Sequence, residues 1–61
     1  MTDDQVTLVL FKGVIADLPA EQQDTVRDCA DKIRYLIAQH PGGEAVLALG
    51  LVGAELQLAH G

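Results

Sequence analysis

The side chains able to do chemistry are few in this 61-residue chain: Cys29, His40, His60, and a line of acids with interspersed bases. Cys29 with His40 and His60 is the only thiol–imidazole set that could hold a metal. Its 29–40–60 spacing matches no zinc pattern, so no metal or cofactor is expected. A reactive thiol needs a basic neighbour, whereas Asp28 and Asp31 flank Cys29 and would raise its pKa. Cys29 is therefore expected to be a small core residue. His40 is expected to close a helix C-terminus, where positive charge suits the dipole. His60 falls in a tail expected to fray.

Glu21, Asp24, Asp28 and Asp31 recur at helical spacing and form an acidic line. The plain expectation is a solvated helix face, with Asp28–Lys32 and Asp31–Arg34 as pairs. Two sharper readings remain. Carboxylates about 5–6 Å apart resemble the spacing of strand phosphates, so the line could act as an acidic mimic of nucleic acid for a basic partner. Arg27, Lys32 and Arg34 interrupt it, and at a subunit seam they could instead face a nucleotide as a small-ligand site. No apolar pocket is legible that would split two carboxylate pKa values into an acid and a base. Gly42-Gly43 before Glu44 lacks the phosphate-loop pattern. No catalytic residue is expected, and the chain reads as non-enzymatic.

Composition narrows the classes further. The net charge of −5 opposes direct nucleic-acid binding, and 3% aromatics cannot build a base-stacking platform. Met1-Thr2-Asp3-Asp4 is no secretory start, and the longest apolar stretch, Ala45–Ala54, is about half of a membrane span. A cytoplasmic location without membrane association is expected. A Met start and no tag-like tail suggest a complete small gene product.

The chain must position these groups with little material. Leu18-Pro19 and His40-Pro41-Gly42-Gly43 break it into three segments, expected as helices at about 3–17, 19–40 and 43–59. The fold class is all-α, a single domain over 1–61, a small bundle completed by self-association. Thr2 and Gln5 fit a capping box, and Asp3 and Asp4 suit the positive end of the first helix. Val6–Phe11 is also strand-like, but a lone strand would have no partner. Pro19 fits the first position of the second helix, whose seam runs Val26, Cys29, Ile33, Leu36 and His40, widened by Ala30 and Ile37. Tyr35 is expected at its rim with a wet hydroxyl.

The third segment is the anomaly. Leu47, Leu51, Ala54 and Leu58 make one face, Ala45, Ala48, Val52 and Ala59 another, and Val46, Gly50 and Gly53 a third. A helix apolar on every side must be buried on every side, and two short helices cannot surround it. A homodimer or higher assembly is therefore expected, with Val46, Leu47, Gly50, Leu51, Gly53, Ala54 and Leu58 at the interface. Finding this stretch bare on an isolated copy, or extended, stands against that argument. Glu55 would lie at the rim or pair with Arg27, Arg34 or Lys12. Partner contacts are expected at Asp24, Arg27, Asp28, Asp31, Arg34 and Glu55.

Asp17-Leu18-Pro19-Ala20-Glu21-Gln22-Gln23 and Leu49-Gly50-Leu51-Val52-Gly53-Ala54-Glu55, in a helix–Pro–helix–Pro-Gly-Gly–helix chain, resemble the small accessory proteins carried by phages and prophages. The resemblance implies a role class only: binding and blocking a host protein or a defence-signalling factor. It brings no catalytic residues.

Overall fold

The computed structural model describes residues 1–60. It contains three α-helices, α1 (Asp3–Ala16), α2 (Ala20–Gln39) and α3 (Glu44–His60), and no strand among the described residues. The stretch 6–11 is helical throughout. Two compact units are distinguished, Met1–Ala30 and a second beginning at Asp31.

In the first unit, α1 opens on the expected capping box. The Gln5 N–H donates to Thr2 Oγ1 at 3.2 Å, and the Thr2 N–H donates to Gln5 Oε1 at 2.8 Å. Two of the four N–H groups a helix start leaves unpaired are thereby placed or shielded. Pro19 sits one position earlier than expected. It precedes the first helical residue, and its carbonyl accepts from the Gln22 and Gln23 N–H groups at 2.9 and 3.0 Å. The Gln23 amide then reaches back, donating to the carbonyls of Ala16 (3.2 Å) and Leu18 (2.9 Å). The carbonyls at the end of α1 lack helical partners, and this one side chain serves two of the residues there. Nothing in spacing alone marks Gln23 for that role. Ile15, Leu18, Gln23, Val26 and Ala30 are half-buried.

In the second unit, the turn His40–Gly43 joins α2 to α3. The Gly43 N–H donates to the His40 carbonyl at 3.2 Å, and the Gly43 carbonyl accepts the first helical bond of α3, from Leu47, at 3.0 Å. Gly43 has φ +96°, a conformation that costs an L-residue with a Cβ about 1–2 kcal/mol. Open space surrounds the position where its Cβ would be, so the cost is conformational and not steric. Gly43→Ala is expected to lower the melting temperature by roughly 4–8 °C per kcal/mol lost. At Gly42 a Cβ would meet only the flexible end of the Glu44 side chain, so Gly42→Ala should do less. Thermal melts followed by circular dichroism compare the two; equal effects would remove the backbone argument.

No described residue is buried. This corrects the expectation of a packed seam on α2. Val26, Ala30 and Ile37 are the half-buried positions, whereas Cys29, Ile33, Leu36 and His40 are exposed. Successive helical residues are about 100° apart, so a half-buried line through Val26 and Ala30 leaves Cys29 to the side, exposed. Cys29 is not a core residue here. His60 likewise belongs to α3 and not to a frayed tail.

Candidate protein-interaction surface

The unusual surface is α3. Within the second unit it turns Ala45, Ala48, Leu49 and Val52 toward Ile33, Leu36, Ile37 and His40 of α2. The helices do not close on each other. They leave an apolar groove of about 480 Å³, with His40 and Glu44 as its polar edge. The small Ala45 and Ala48 explain the open space, because neither reaches across to the leucine and isoleucines opposite.

Elsewhere on its circumference α3 is also largely apolar, Glu55 and Gln57 apart. Leu47 is 77% exposed, Leu51 62% and Leu58 85%. Val46, Leu47, Gly50 and Leu51 line a shallow hollow on this outer side. Gly50 and Gly53 have nothing within 4 Å of where a Cβ would stand, and neither has a positive φ. Each costs a helix about 1 kcal/mol relative to alanine, with no compensation visible inside the chain. Every one of the expected interface residues Val46, Leu47, Gly50, Leu51, Gly53, Ala54 and Leu58 is exposed. Bare exposure on an isolated copy is the observation that stands against the burial argument, and it is what the chain shows. A single copy does not cover α3.

The polar groups are arranged locally. Arg27 pairs with Asp24 at 3.2 Å and Arg34 with Asp31 at 2.7 Å, each an exposed i,i+3 contact. The second was expected; the first follows the same spacing. Among the described residues these are the ion pairs formed, so Asp28–Lys32 does not close and Glu55 lies exposed and unpaired. Exposed pairs of this kind contribute at most about 1 kcal/mol. Tyr35 is exposed, with its hydroxyl accepting from the Gln39 amide at 2.8 Å. His40 closes the end of α2 through its backbone, its N–H shared by the Leu36 and Ile37 carbonyls. Among the described residues no three His, Cys, Asp or Glu side chains gather as metal ligands would. No helix is long and apolar enough to cross a membrane.

Comparison with protein-family models, curated proteins and solved structures finds no match to this chain.

Proposed function

We propose that this protein is a non-enzymatic helical interaction module that self-associates through the outer face of α3 and, once assembled, binds and blocks a protein partner. The reading starts from the exposure of Leu47, Leu51 and Leu58 on one helix, which counts against burial within a single copy and leaves a second molecule to cover them. Pairing with a second copy would shelter these side chains, which one chain leaves in water.

The charged pairs on α2 and the free Glu55 suit the polar surround of a further contact, since charge belongs at the rim and not in the core of an interface. Asp24, Arg27, Asp28, Asp31, Arg34 and Glu55 are the residues proposed to meet the partner. Blocking a host or defence protein is the role class of the phage accessory proteins that the chain resembles, and cytoplasmic action belongs to the same proposal.

Size-exclusion chromatography with light scattering at micromolar concentration tests the self-association. The expected mass is a multiple of 6.5 kDa, with helical circular dichroism. A folded, stable 6.5 kDa monomer overturns the proposal.

A further inference from the structure

We draw no further inference here: the strongest candidate, the apolar groove between α2 and α3 with His40 and Glu44 at its edge, carries none because nothing in the structure shows what covers it.

Discussion

Leu51→Glu is expected to convert the assembly into monomers, weakening association by at least about 1000-fold. On a single chain Leu51 is 62% exposed and makes little of its own fold, so glutamate there would simply be solvated. In the proposed assembly it lies between Leu47 and Leu58, at the middle of the covered face. Symmetry makes each substitution count twice. Two lost leucine burials are worth about 4 kcal/mol together, which is already the 1000-fold factor. Two carboxylates held at that face without partners add several kcal/mol more, because removing charge from water is costly when nothing compensates it. Leu51→Ala, which loses the burial but adds no charge, should fall between wild type and Leu51→Glu. Sedimentation or light scattering over a dilution series measures all three. Helicity should fall with the mass, because a 17-residue helix carrying two glycines is marginal by itself in water. An unchanged mass for Leu51→Glu would mean that this face is not the contact, and the function proposed for the protein would lose its support.

The helices were legible because their ends are written in local chemistry. Thr2 and Gln5 announce α1, Leu18-Pro19 ends it, and Pro41-Gly42-Gly43 separates α2 from α3, so the expected limits lie within one residue of those found. Such signals act over three or four residues and need no knowledge of the remaining chain. Burial was less legible. The apolar spacing of α2 does not say which seam residues are sheltered: Val26 and Ala30 are half-buried in the first unit while Cys29 is not, and in the second Ile33, Leu36, Ile37 and His40 line the groove facing α3. Cys29 was misplaced for that reason. The Arg34–Asp31 pair could be read from spacing, whereas the double acceptance of the Gln23 amide could not. It depends on the angle at which the chain turns at Pro19. The candidate surface is an intermediate case. Its residues follow from the all-round apolar pattern of α3, but which side faces α2 becomes known only from the groove through Ala45, Ala48, Leu49 and Val52.

Gly50 and Gly53 provide the last prediction, because they look alike in one chain and differ in two. Both are helical, and both have open space where a Cβ would stand. Judged on the single chain, alanine at either should stabilise by about 1 kcal/mol through helix propensity. A contact centred on Leu47, Leu51 and Leu58 separates them. Gly50 precedes Leu51 and flanks that line, where a covering backbone would come close. Gly53 lies more than a quarter-turn from it, beside Val46. Gly50→Leu should therefore overpack the crossing by about 1–3 kcal/mol per copy and reduce the association constant roughly 30-fold or more. Gly53→Ala should keep the assembly and raise its melting temperature by several degrees. Larger side chains sharpen the contrast: Gly53→Leu breaks assembly only if a facing backbone approaches there instead. Melting curves with masses from light scattering give both signs. If Gly53→Leu dissociates the protein and Gly50→Leu does not, the contact runs on the Val46 and Gly53 side of α3 and excludes Gly50. The leucines would then be left for a different molecule to cover.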